Sequence, residues 1–196
     1  MDRTVLLFTG HLLDNIDRVD SRFPYRLIQE VSRMIQSEMD HLTDQERPLI
    51  AVSSLAAGGD IIFAMEVLRR KIPLYVFLPF EKEKFLADSV KYIKNDPAED
   101  PGEWEEKFHS IIGAATEVSI TRGGNHDDAF ADCNKSMLNF ALDRTQNRPE
   151  KILAIALIQH QTEIKTGGAA DFVNLLESSG ITVKRIWPAR SNRLFR

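Results

Sequence analysis

The chain has 196 residues, 43% of them hydrophobic and 28% charged, with a formal net charge of −4; that is enough for one substantial domain and too little for two of ordinary size. The acidic balance speaks against non-specific nucleic-acid binding, which needs clustered Lys and Arg, and no apolar run approaches the ~20 residues that span a bilayer. The single cysteine, Cys133, excludes an internal disulfide and a thiolate zinc cluster, and with no signal-peptide core in Met1 to Phe8 it predicts a cytoplasmic protein without a metal or cofactor.

Short apolar runs alternate with segments of helical spacing. Val5 to Phe8 reads as a first strand ending at Thr9-Gly10-His11, and Pro24 to about Leu42 as a helix through Leu27, Ile28, Val31, Met34 and Ile35. Leu49 to Val52 is a second strand, followed by Ser53-Ser54-Leu55-Ala56-Ala57-Gly58-Gly59-Asp60 and a helix from Gly59 to Arg70. Leu74 to Leu78 is a third strand closed by Pro79, with helices expected over Glu81 to Lys94 and Glu103 to Ala115. Glu117 to Ile120 is a fourth strand, Ala129 to Thr145 a helix, and Ile152 to Ile158 a fifth strand. A loop ending in Thr166-Gly167-Gly168 leads into a helix over Ala169 to Ser178, stopped by Gly180 before a last strand, Ile181 to Trp187. The sequence thus divides into one domain, residues 1–188, and a basic tail, residues 189–196. From Lys184 to Arg196 the chain carries five basic residues and no acid.

Alternating strands and helices, with strands that are continuously apolar, predict an α/β fold: a doubly wound, mainly parallel Rossmann-like sheet with helices on both faces. In such a sheet ligands bind outside the carboxyl ends of the strands. That rule nominates Thr9, Gly10 and His11; Ser53, Ser54, Gly58, Gly59 and Asp60; Pro79 and Phe80; the loop Thr121 to Asp128; and the segment His160 to Gly168, with Thr166, Gly167 and Gly168. The two double-glycine turns stand out, because phosphate reaches backbone N–H groups only where no side chain intervenes, and a helix N-terminus favours an anion. The competing structural readings are positive φ or close helix packing for the glycines, helix-dipole stabilisation for Asp60 and Asp171, and a helix cap for Thr166. Phe80 fits either a nucleobase contact or core packing, and Glu66 either a solvated helix face or a group orienting water.

The chain has no Walker A motif, no dinucleotide-type GxGxxG, no His-rich metal spacing and no nucleophile elbow. The segment Ser53 to Asp60 resembles the S-G-x-A-x-G-x-D loop of the DNA-processing protein A family. Thr166-Gly167-Gly168-Ala169-Ala170-Asp171 looks like the glycine loop of the "lonely guy" nucleotide phosphoribohydrolases. With Phe8-Thr9-Gly10-His11, Leu78-Pro79-Phe80 and the Asn134 to Leu142 helix, the order and spacing resemble the SLOG superfamily over residues 3–188. That resemblance implies a Rossmann-like domain that binds a nucleotide or a nucleotide-derived ligand, such as a nucleotide-sugar or an NAD-related metabolite, as a sensor in bacterial signalling or defence. Two departures stand beside it. Ser54 replaces a glycine, and the acid of the second loop is displaced, which turns a helical side chain by about 100° per residue.

The expectation is therefore a small-molecule binding domain. Its partner is a nucleotide-type ligand rather than nucleic acid or membrane, and a homo-oligomer is left open. The alternatives are an N-glycosidic hydrolase using Glu66 or Asp171, a structural oligomerisation module, and a DNA-binding protein acting through its basic tail.

Overall fold

In the computed structural model the described residues are 3–43, 48–91, 102–121, 126–159 and 164–188. The apolar runs become strands: β1 Thr4–Gly10, β2 Leu49–Ser53, β3 Leu74–Leu78, β4 Glu117–Ile120, β5 Ile152–Leu157 and β6 Val183–Ile186. They form one sheet in the order β4-β3-β2-β1-β5-β6, and each neighbouring pair is parallel.

The strands are apolar throughout because the sheet is covered on both faces. Leu6, Phe8, Ala51, Val76, Leu78, Ile155 and Leu157 belong to one core, and their strand neighbours Val5, Leu7, Ile50, Val52, Tyr75, Phe77, Ala154 and Ala156 belong to the other. Helices α1 (Ile28–Thr43), α2 (Gly59–Arg69), α3 (Lys82–Ser89) and α4 (Glu103–Ala114) supply Ile35, Phe63, Phe85, Trp104 and Phe108 to the first core. Helices α5 (His126–Arg144) and α6 (Ala169–Ser178) supply Met137, Leu138, Phe172 and Leu176 to the second. The sheet is therefore wound in both directions from β1. Connections leaving β1, β2 and β3 pack on one face and those leaving β4 and β5 on the other, so the loops after β1 and β5 diverge and open a crevice.

Differences from the sequence reading are local. The first helix does not begin at Pro24, whose backbone is extended; a 3-10 turn at Tyr25–Leu27 precedes α1. Helix α3 ends at Ser89, short of Lys94, while α5 starts earlier than Ala129. The last strand shrinks to Val183–Ile186. There Lys184 pairs with Glu38 of α1 at 2.5 Å and Arg185 with Glu177 of α6 at 2.6 Å. Two of the five C-terminal cations are thus tied to the domain, on a charged edge strand of the kind that discourages further pairing. The tail 189–196, His160 and the loop residues 122–125 lie outside the described residues. No helix among the described residues is long and apolar enough to cross a membrane.

Candidate functional site

The carboxyl end of β1 and the start of α2 are joined by close packing. Phe8 and Phe63 stack with centroids 4.5 Å apart and planes at 8°, which fixes α2 against β1. Beside them Gly59 lies on Gly10: a Cβ on Gly59 would come within 3.3 Å of Gly10 Cα and 3.0 Å of Leu157 Cδ2. Gly58 has φ +113°, and a Cβ there would meet the Leu13 backbone nitrogen at 2.7 Å, so only glycine fits. The Gly59 N–H donates to the His11 carbonyl at 3.4 Å. Gly58 and Gly59 are thus buried packing positions, and neither is among the residues lining the cleft described below.

Asp60 follows on the first turn of α2. Its Oδ2 accepts the Ala56 N–H at 3.3 Å, while Oδ1 is buried with no hydrogen-bond partner. Burial pushes the carboxyl up to about 7, against the opposing pull of the Ala56 and Gly10 N–H groups. The second glycine turn repeats this device. Asp171 Oδ2 accepts the N–H of Gly167, four residues back, at 2.9 Å, and Gly167 takes φ +75°. Gly168 caps α6 without a side-chain bond, so the capping role considered for Thr166 falls to Asp171, and Thr166 is exposed.

A cleft of about 70 Å³ lies where these loops meet. Six nominated residues line it: Thr9, Gly10, Ser54, Asp60, Gly167 and Gly168. At ~10–15 Å³ per water position, it admits a pentose or a phosphate group. A whole nucleotide would need several hundred Å³, so its remainder would lie across the mouth.

The other nominated residues lie elsewhere. His11 is buried; its Nε2 accepts the Gln159 N–H at 3.2 Å, and its ring meets Trp187 edge-on at 5.6 Å. Burial and the nearby Arg22 and Arg18 charges lower it to about 4, so it is a neutral tie between the ends of β1 and β5. Ser53 and Pro79 are buried, and the Ser53 hydroxyl has no hydrogen-bond partner. Phe80 packs edge-on against Phe130 at 5.6 Å, and Phe130 in turn lines the cleft. Glu66 faces away: it pairs with Arg70 and, at 3.0 Å, with Arg69, and it lines a separate groove between α2 and α4. The two carboxylates nominated for hydrolysis are therefore an ion-pair member and a loop brace.

The residues missed are on α5. Phe130, Cys133, Asn134 and Met137 form one helical stripe on the cleft wall. Asn134 Nδ2 donates to the Gly167 carbonyl at 3.1 Å, holding the second glycine turn in place. Burial first, with the Asp60 charge adding, pushes the Cys133 thiol up to about 12. The available signal was a polar pair, Cys133-Asn134, set into an otherwise apolar i, i+3, i+7 stripe. Among the described residues no group of three His, Cys, Asp or Glu side chains could hold a metal ion.

No protein-family model matches the chain, and no curated protein sequence matches it. Among solved structures, the chain is similar to DNA processing protein A from Streptococcus pneumoniae, with 19% identity and a TM-score of 0.32. The match covers 92% of this chain and 58% of that one, so this chain spans little more than half the length of that neighbour.

Proposed function

We propose that this protein binds a nucleotide or nucleotide-derived small molecule in the cleft between the ends of β1 and β5, and serves as a sensor or regulatory domain. One observation carries the reading. Both glycine-bearing loops and the end of β1 converge on a single cleft at the switch point of a doubly wound sheet, the place where such sheets take ligands. The N-terminus of α6 opens there through Gly167, Gly168 and Ala169, which suits an anionic group such as a phosphate. The SLOG-like order of motifs in the sequence points to the same ligand class. Hydrolysis is the weaker reading, because Glu66 and Asp171 are engaged elsewhere.

The test is thermal denaturation of the full chain with AMP, GMP, CMP, UMP, their diphosphates and ADP-ribose. A ligand at a hundred times its Kd stabilises the native state by about 2.7 kcal/mol, which is a rise of roughly 5–10 °C at this size. Absence of any rise at millimolar nucleotide overturns the reading. Release of free base in the same incubations would replace the sensor by an enzyme.

A further inference from the structure

Asp60 lines the cleft, and its Oδ1 is a buried carboxyl oxygen with no partner in hydrogen-bond geometry, although the Gly10 N–H pulls on the carboxyl beside that of Ala56. Neither Thr9 nor Ser54, which line the same cleft, donates to it. Such an atom costs free energy unless a donor reaches it. Asn134, which lines the same cleft, has its Nδ2 engaged by the Gly167 carbonyl, which leaves its Oδ1 as a second acceptor. The remaining lining is largely apolar: Phe8, Phe130, Met137 and Ala169. The inner cleft therefore calls for hydrogen-bond donors on a small body with apolar C–H faces. A phosphate dianion only accepts and meets this carboxyl only in its protonated form, whereas a hydroxyl both donates and accepts and so serves either form of a group that titrates near 7. A pentose edge meets the requirement, with two adjacent hydroxyls and a ring of suitable size.

We infer that the cleft takes the ribose edge of its ligand, the 2′,3′-diol donating to Asp60 and Asn134, and so selects ribonucleotides over 2′-deoxyribonucleotides. This rests on the ligand-binding reading above and adds an orientation to it: sugar inward, phosphate toward the start of α6, base outermost. A site built to receive a hydroxyl rejects the analogue lacking it strongly, because the acceptor is then left unpaired. The expected discrimination is on the order of 10²-fold or more in Kd.

The experiment is isothermal titration of the full chain with AMP, 2′-deoxy-AMP, IMP, ribose 5-phosphate and 2-deoxyribose 5-phosphate. Weaker binding by at least that factor for both deoxy compounds supports the inference. Equal affinity of ribo and deoxy partners overturns it while leaving the ligand-binding reading intact. Discrimination of AMP from IMP without discrimination of the sugars also overturns it, because the donor would then be the base amine. If none of the five binds, the ligand-binding reading falls and this inference falls with it. Asp60→Asn keeps the shape but replaces one acceptor oxygen by a donor, and is expected to bring the two sugars within about threefold of each other. Should that variant fail to fold, Asn134→Ala tests the second acceptor, with a reduced ribo preference expected and an unchanged one counting against the diol.

Discussion

The carbonyl of His11 accepts the N–H of Gly59, the residue before Asp60, so two strongly shifted side chains at the sheet's carboxyl edge lie beside one peptide contact. They titrate in opposite senses. His11 falls from 6.5 to about 4, and Asp60 rises from 3.8 to about 7, burial being the main cause in both. The unfolded chain holds the His11 proton between about pH 4 and 6.5 where the native state does not, so this group makes stability rise with pH. The native state holds the Asp60 proton between about pH 4 and 7 where the unfolded chain does not, so this group makes stability fall as pH rises.

Across most of that window the two slopes oppose each other. Denaturant unfolding at pH 4.5 to 7.5 should show the balance as differences from wild type, since all other carboxylates are common to the variants. In Asp60→Asn, stability should gain on wild type as pH rises, by up to about 1.4 kcal/mol per unit. In His11→Gln it should lose on wild type over the range up to pH 6.5. Parallel curves for all three proteins would show that neither side chain is buried as described.

The glycine pair gives a second, graded expectation. Gly58→Ala forces a Cβ to 2.7 Å from the Leu13 nitrogen at φ +113°, against rigid backbone, and should cost about 2–4 kcal/mol. Gly59→Ala meets the movable Leu157 side chain at 3.0 Å, with Gly10 Cα at 3.3 Å, and should cost less, about 1–2 kcal/mol. Melting temperatures rank the two. The reverse order would mean that the β1–α2 contact, not the left-handed turn, sets the limit.

The ease of reading this sequence tracked how local the physics is. β3, β4 and α6 were legible to the residue, because a run such as Leu74 to Leu78 is apolar from end to end and bounded by Pro73 and Pro79. Six of the residues nominated from the sequence line one cleft, because strand ends and the loops after them gather at one edge of a wound sheet. The roles within it were less legible. A double glycine serves equally for a phosphate and for a helix laid on a strand, and only the contact of Gly59 with Gly10, far apart in sequence, separates the two uses. Asn134 and Cys133 were hidden for the same reason: they reach the cleft from a helix on the opposite face of the sheet to α2.

The two carboxylates first considered for hydrolysis should behave differently from each other. Glu66 joins Arg70 in a network with Asp40 and the Gln36 carbonyl. Glu66→Ala is expected to cost about 1 kcal/mol of stability and to leave nucleotide affinity within twofold. Asp171 braces Gly167 by its 2.9 Å bond, and Asp171→Ala is expected to cost a similar amount. Because Gly167 and Gly168 line the cleft, it should also weaken nucleotide binding several-fold. Titration calorimetry on both variants separates a remote ion pair from a brace of the site.

Cys133 offers a reporter of the cleft that needs no added label. Its thiol is 2% exposed and pushed up to about 12, so at pH 8 almost none is thiolate, the reactive form. Reaction of the native protein with a chromogenic disulfide reagent should therefore be slow and set by opening of α5. Asp60→Asn removes the neighbouring negative charge that helps hold the thiol up, and should speed the reaction at fixed pH. A bound ribonucleotide fills the space that Cys133 lines, and should slow the reaction about tenfold or more at saturation, since only the ligand-free fraction opens. A rate indifferent to ligand but sensitive to Asp60→Asn would separate the thiol's electrostatics from the cleft, and would place the ligand elsewhere on the sheet edge.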